Sequence, residues 1–465
     1  MSEDESGQAG RLVRMTTGNA ELDRILGGGF PANSINILMG EPGSGKTILA
    51  ERLMFANAND DGRPIAFLST LSEPLDKVVR YLQQFRFFDE SKLAGNIVYD
   101  SIGEALTAHG IGALVTRVKD VIKTHRPKII VIDSFKAIHD LSTSVPDMRR
   151  MLFELAGLLT ACETTAFLVG EYSADQISMF PEFAVADSMV ELSRHKLGTR
   201  EERFVRVLKL RGSAYLEGQH AFSITADGLE VFPRLVSPSV PPSYAVLAER
   251  VATSVRGLDA LLGGGLFRGR STFVVGPTGS GKTTLALQFV LEGVKRGESC
   301  LYVSFEENPT QLDAQLGSMG LDAEDVRSKG LHFLYVSPVE LQIDRIVAAI
   351  FRAIRQNAIR RIVIDAVGDL FLAATDVHRL HDYLYALTQH FAVEGVSSFF
   401  TYESVALANE VQTRLSALSD AILALDVPMS EGRARRTLRV IKARGIGHDL
   451  HEHVLRISST GVGVE

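Results

Sequence analysis

The sequence predicts an α/β protein in which one domain is used twice, each copy a mainly parallel twisted sheet flanked by helices. Three observations carry that expectation. The stretch "GEPGSGKT", Gly40 to Thr47, returns as "GPTGSGKT", Gly276 to Thr283. The residues leading into it, "TGNAELDRILGGGFPANSINILMG" and "TSVRGLDALLGGGLFRGRSTFVVG", align without a gap. Short apolar runs also alternate with segments of helical spacing, the mark of a parallel sheet covered on both faces. A chain of 465 residues is too long for one ordinary core. An offset of 236 positions between Lys46 and Lys282 is a duplicated domain, not a solenoid unit.

In chain order, the polar, acidic "MSEDESGQAG" predicts a disordered tail over 1–12. The first domain is assigned to 13–240. There "SINILMG" is a strand running straight into the glycine loop, and "TILAERLMFANAN" is the helix after it. "PIAFLST", "KIIVIDS" and "TAFLVGE" follow as strands. The second domain, 241–465, repeats that order with "STFVVGP", "TTLALQFVLEGVKRG", "SCLYVSF", "RIVIDAV" and "SSFFTYE". Between the copies, "RLVSPSVPPSYAVLAER" is rich in proline and serine and reads as a linker. Late in each domain, "RFVRVLKLRG" and "TLRVIKARG" begin segments expected to extend the sheet with antiparallel strands.

Composition narrows the function classes. Hydrophobic residues make up 45% and charged residues 23%, as in a globular protein. No apolar run is long enough to span a bilayer and no signal peptide is evident, so a soluble cytoplasmic protein is expected. Two cysteines, Cys162 and Cys300, argue against a disulfide framework or a cysteine metal site. The net charge of −7 weighs against an extended nucleic-acid surface.

Both loops fit GxxxxGK[ST]. The first comprises Gly40, Glu41, Pro42, Gly43, Ser44, Gly45, Lys46 and Thr47, followed by Ile48. The second comprises Gly276, Pro277, Thr278, Gly279, Ser280, Gly281, Lys282 and Thr283, followed by Thr284. Glycines let main-chain N–H groups turn inward around phosphates, and the following helix N-terminus adds its dipole. The lysine reaches the β- and γ-phosphates, and the threonine is placed to ligate Mg²⁺. ATP and Mg²⁺ are the expected ligands. Such a loop needs an acid from the end of another strand. Asp133 in "IIVIDS" and Asp365 in "IVIDAV" supply it, making Thr47, Asp133, Thr283 and Asp365 the metal set. An acid in that position can also cap a helix, but its pairing with the loop favours the metal.

The copies then diverge. "YVSFEENP" presents Glu306 and Glu307, suited to orienting a nucleophile and accepting its proton. Aligned on the proline, the first copy has Leu71 and Ser72 there, with Glu73 one residue late. The first site is therefore expected to bind nucleotide and turn it over slowly. "KLRG" and "KARG" repeat a second signature. Lys209 with Arg211, and Lys442 with Arg444, form two-pronged cations on one strand face. Isolated, each would be a surface charge; recurring, they suggest delivery to phosphate in trans.

Together these residues resemble the KaiC family, a branch of the RecA-like ATPases. The likeness spans nearly the whole chain: "TTGNAELDRILGGGFP" and "ATSVRGLDALLGGGL", both loops, "SFEENP", "VIDS"/"VIDA" and "KLRG"/"KARG". It implies two RecA-like domains per chain, assembled as a homohexameric double ring with ATP between neighbouring subunits. It also implies that Glu306 is the catalytic carboxylate and that Lys442 and Arg444 reach the adjacent subunit's ATP. Clock members of the family carry the paired glutamates in both domains, and a Ser-Thr phosphosite pair before a late aspartate. Here "RLSALSDAIL" keeps only Ser416 before Asp420, leaving single-site autophosphorylation open. The sequence ends at "SSTGVGVE", which argues against a full circadian oscillator. The expected protein is a regulatory ATPase with unidentified signalling partners. The alternatives are a RecA- or DnaB-like motor on single-stranded DNA, or an ATP-assembled scaffold with little turnover.

Overall fold

A computed structural model describes residues 12–59, 61–70, 75–197, 200–238, 248–337, 339, 342–373, 377–404, 415–430, 433–458 and 461–465. Leu71, Ser72 and Glu73, most of the expected tail and the middle of the expected linker lie outside them. The chain divides into two compact units, Met1–Arg234 and Leu235–Glu465. Each is built on one nine-stranded sheet.

In the first unit the strands are β1 (Ile35–Gly40), β2 (Ile65–Ser69), β3 (Ile97–Ser101), β4 (Ile129–Asp133), β5 (Thr165–Gly170), β6 (Ser188–Leu197), β7 (Arg200–Leu210), β8 (Gln219–Thr225) and β9 (Gly228–Phe232). Their order across the sheet is β3-β2-β4-β5-β1-β6-β7-β8-β9. The strands from β3 to β6 are parallel, and β7, β8 and β9 continue antiparallel. The helix after the glycine loop is α1 (Lys46–Asn57); α2 (Gly112–His125) and α3 (Val145–Ala161) are the longest others here.

The second unit repeats the plan with β10 (Ser271–Gly276), β11 (Cys300–Ser304), β12 (Leu331–Tyr335), β13 (Arg361–Asp365), β14 (Ser397–Glu403), β15 (Ala421–Asp426), β16 (Thr437–Ala443), β17 (His453–Ser458) and β18 (Gly461–Val464). Their order, β12-β11-β13-β14-β10-β15-β16-β17-β18, is the same. Helix α4 (Lys282–Lys295) follows its loop, and α5 (Ile343–Asn357) and α6 (Val377–Glu394) lie between strands.

Side chains alternate across each strand, so each sheet feeds two cores. In the first unit Leu38, Val131 and Phe167 pack with Leu49 and Leu53 of α1 on one face. Ile37, Ile130 and Leu168 pack with Val118 of α2 and Leu155 of α3 on the other. Val274, Val363 and Phe399 with α4, and Phe273, Ile364 and Phe400 with α5 and α6, repeat this in the second unit. Truncating a fully buried leucine such as Leu53 should cost about 2–5 kcal/mol. The shared lead-in has a structural task. Asp23 accepts from Thr17 Oγ1 and Asp259 from Thr253 Oγ1, both at 2.7 Å, fastening the turn before each first strand. Strands β3 and β12 are absent from the sequence expectation. They are edge strands, half-buried after their first residue, and their mixed polarity hides them.

Candidate functional site

Each glycine loop leaves the end of a central strand, β1 or β10, where the neighbouring strands diverge in connection. Such switch points collect ligands in parallel sheets. Gly40 is required by space: a Cβ there would lie 1.9 Å from Leu192 O on β6. Gly45, just before α1, has φ of 100°, a left-handed value that turns the chain into the helix. Lys46 Nζ donates to Glu41 O at 2.8 Å, and Lys282 Nζ to Gly276 O and Pro277 O at 2.9 Å. Both lysines are buried, which lowers their proton affinity. Glu171 and Asp133 oppose that in the first unit, and Glu403, Asp365 and Glu306 in the second.

Asp133 and Asp365, the aspartates expected to serve the metal, end β4 and β13. Their partners differ. Thr47 Oγ1 donates to Asp133 Oδ2 at 2.7 Å. Asp365 instead accepts from Tyr302 Oη at 2.6 Å and from Thr401 Oγ1. Strand register aligns Tyr302 with Phe67 and Thr401 with Val169, so the first unit has neither hydroxyl. Among the described residues no three His, Cys, Asp or Glu side chains form a self-sufficient metal centre. A threonine and one strand-end acid beside a phosphate loop nevertheless fit Mg²⁺, which takes few protein ligands and completes its shell with phosphates and water.

Glu306 follows β11 and faces the Lys282 field. Partial burial, then Asp369, Asp365 and Glu403, raise its proton affinity, while Lys282 lowers it. Glu307 is raised by burial and Asp365. Its Oε1 accepts from Gln315 Nε2 at 2.5 Å, and its Oε2 is buried without a partner. The second unit therefore sets Glu306, a carboxylate of raised basicity, in the field of Lys282 with Glu307 next to it in sequence, an arrangement able to position a hydroxyl nucleophile and take its proton.

The two-pronged cations lie elsewhere. Lys209 pairs with Met189 and Lys442 with Ile422, at the starts of β6 and β15, the sheet end opposite each loop. A β-bulge precedes each lysine, at Leu208 and at Ile441, and bulges re-aim side chains. Arg211 pairs with Asp187 at 3.3 Å and Arg444 with Asp420 at 3.8 Å. Lys442 Nζ donates to Ser416 O and, at 2.7 Å, to Ser419 O. Ser416 thus lies at the cation end, away from the loop of its own domain.

Several residues escaped the sequence reading. Glu171 and Glu403 follow or end β5 and β14 at the same 232-residue offset as the aspartates, a signal that could have found them. Glu403 Oε1 accepts from Thr278 Oγ1 at 2.6 Å. The first unit also holds a cavity of about 730 Å³ running from Lys46, Thr47 and Asp133 to Phe67, Tyr81 and Phe85. Glu51 and Tyr99 line it. Burial, then Asp133, pushes the Glu51 carboxyl up to about 8.

Comparison with known proteins agrees with this geometry. A family model described as the ATPase KaiC matches residues 15–236 and again 251–465. The chain is 28% identical over 463 residues to the circadian clock oscillator protein KaiC of Picosynechococcus sp., covering 96% of this chain and 88% of that protein. It is 28% identical over 462 residues to the circadian clock oscillator protein KaiC 1 of Synechocystis sp., covering 95% and 86%. Against the protein named KaiC in Acaryochloris marina it is 28% identical over 469 residues, covering 97% and 88%.

Proposed function

The chain belongs to the KaiC family of ATPases, and from that premise we propose how its two domains divide the work. The second domain hydrolyses ATP. The observation that carries this is Glu306, held in the joint field of Lys282 and Asp365 with raised basicity. Glu306 orients the attacking water and accepts its proton, and Glu307, fixed by Gln315, keeps the adjacent wall in place. Lys282 and the loop N–H groups bind the phosphates. Thr283 and Asp365 would hold Mg²⁺, which offsets charge on the phosphate oxygens. The first domain binds ATP through Gly40–Thr47, with Thr47 and Asp133 for the metal, and serves mainly assembly.

Lys209, Arg211, Lys442 and Arg444 serve the nucleotide of a neighbouring copy in a homohexamer; their distance from the loops of their own domains supports this. The same placement supports Ser416 as an acceptor of phosphate from a neighbour's ATP. Phosphopeptide mapping after incubation with Mg-ATP that leaves Ser416 unmodified rejects that role. The chain then acts as a regulatory ATPase whose state is passed to signalling partners. For the catalytic assignment, Glu306→Gln with Glu307→Gln should lower turnover by about two to four orders of magnitude. Nucleotide content should stay unchanged. A double variant that keeps more than about half its activity, with Glu73→Gln removing it, places the engine in the first domain.

A further inference from the structure

The first cavity contains a carboxyl with no part in the proposed division of labour. Glu51 lies four residues beyond Thr47 on α1, one helical turn along the same face. It is 7% exposed, lines the cavity with Thr47, Asp133 and Tyr99, and has no hydrogen bond among the described residues. Its charge is coupled to Asp133 on one side and to Tyr99 on the other. Tyr99 Oη is itself buried without a hydrogen-bond partner.

The second unit shows that the fold does not need this pair. The gapless loop-helix alignment puts Leu287 at the Glu51 position, and strand register puts Phe333 at the Tyr99 position. Both pack in an apolar core. An unsatisfied buried polar group costs about 1–3 kcal/mol. Tyr99 Oη is one such group, and together with the buried Glu51 carboxyl, on the lining of the cavity that also holds Thr47 and Asp133, it marks a place where a hydrogen-bonding ligand is to be bound.

We propose that Glu51 is a positioning residue of the first domain's Mg²⁺ site, holding the water shell of the ion whose nearest protein ligands are Thr47 and Asp133. Mg²⁺ keeps several of its waters and favours hard oxygen donors. Tyr99 supplies a second hydrogen-bonding group at the same wall. The second domain supports Asp365 with hydroxyls of β11 and β14, and in the first the helix-borne Glu51 carboxyl serves the ion beside Asp133. The inference rests on the first loop binding Mg-nucleotide.

The test uses the full chain carrying Lys282→Ala, so that nucleotide enters the first domain alone. The readout is binding of a fluorescent, non-hydrolysable ATP analogue titrated with Mg²⁺. Glu51→Gln and Glu51→Leu should each raise the Mg²⁺ concentration for half-saturation about 10–100-fold, with metal-free analogue binding unchanged. Tyr99→Phe should shift it the same way by less, and keeps the test open if the Glu51 variants do not fold. Unshifted Mg²⁺ titrations with normal analogue binding overturn the proposal and leave Glu51 a neutral acid of the core. Failure of the Lys282→Ala parent to bind the analogue removes the first-domain nucleotide reading, and this proposal falls with it.

Discussion

Glu51 shows how a single buried side chain trades stability for a site. Its carboxyl titrates at about 8, above the 4.5 of an ordinary glutamate. The folded chain therefore holds that proton more tightly than the unfolded chain does. The resulting stability is full below about pH 4.5 and is lost as pH rises through about 8. Glu51→Leu, the second domain's solution, should raise the first domain's melting temperature by about 2–8 °C near pH 8.5. The gain should shrink steadily toward pH 5, as thermal melts at several pH values would register. A gain independent of pH points to packing, not charge. Glu306 is the opposite case: the sequence exposed it, because two adjacent acids follow an apolar strand in one copy and are missing from the aligned proline context of the other. Glu51 gave no such signal, since a lone acid within a helical segment reads as a solvated charge.

At the scale of elements, the strands carry the catalytic geometry and the helices tune it. Asp365 is clamped between β11 and β14 by Tyr302 and Thr401, which orient the carboxylate proposed to hold Mg²⁺. Removing partners of this kind typically costs about 10–100-fold in metal affinity or activity. Tyr302→Phe and Thr401→Val each convert the second domain to the first domain's residue class. Each should raise the Mg²⁺ needed for half-maximal ATPase by that order, with turnover recovering at high Mg²⁺. A lowered maximal rate with unchanged Mg²⁺ dependence would show that these hydroxyls serve the chemistry and not the metal. The sequence displayed the strands ending in aspartate because they are near-continuous apolar runs. It did not display β3 and β12, whose edge positions leave most of their side chains half-buried.

For the molecule as a whole, the decisive feature is that each domain keeps its phosphate loop and its Lys-x-Arg cations at opposite ends of one sheet. The proposed site therefore draws its cations from a neighbouring copy. Lys442→Ala with Arg444→Ala should therefore remove most ATP-dependent assembly and at least tenfold of the turnover, while the loops still bind nucleotide. Lys46→Ala should weaken assembly more than it weakens turnover per assembled hexamer. Light scattering with and without ATP, read beside turnover, measures both. An unchanged monomeric mass in the presence of ATP removes the hexamer from the proposal.

The sequence by itself determined the duplicated plan, the phosphate loops and the strand-end aspartates. Each of these is written in contiguous residues and stated twice at a nearly constant offset, so local pattern and repetition suffice. Only the tertiary structure decided which groups serve each aspartate and which cations cannot reach the loop of their own domain. Those outcomes depend on strand order and register, which bring Tyr302, Asp365 and Thr401 together in one copy and Thr47 and Asp133 in the other. Exchanging tyrosine for phenylalanine, threonine for valine or leucine for glutamate at such positions leaves the apolar period almost intact. The periodicity that reveals a fold is therefore nearly blind to the few buried polar groups that distinguish its two sites.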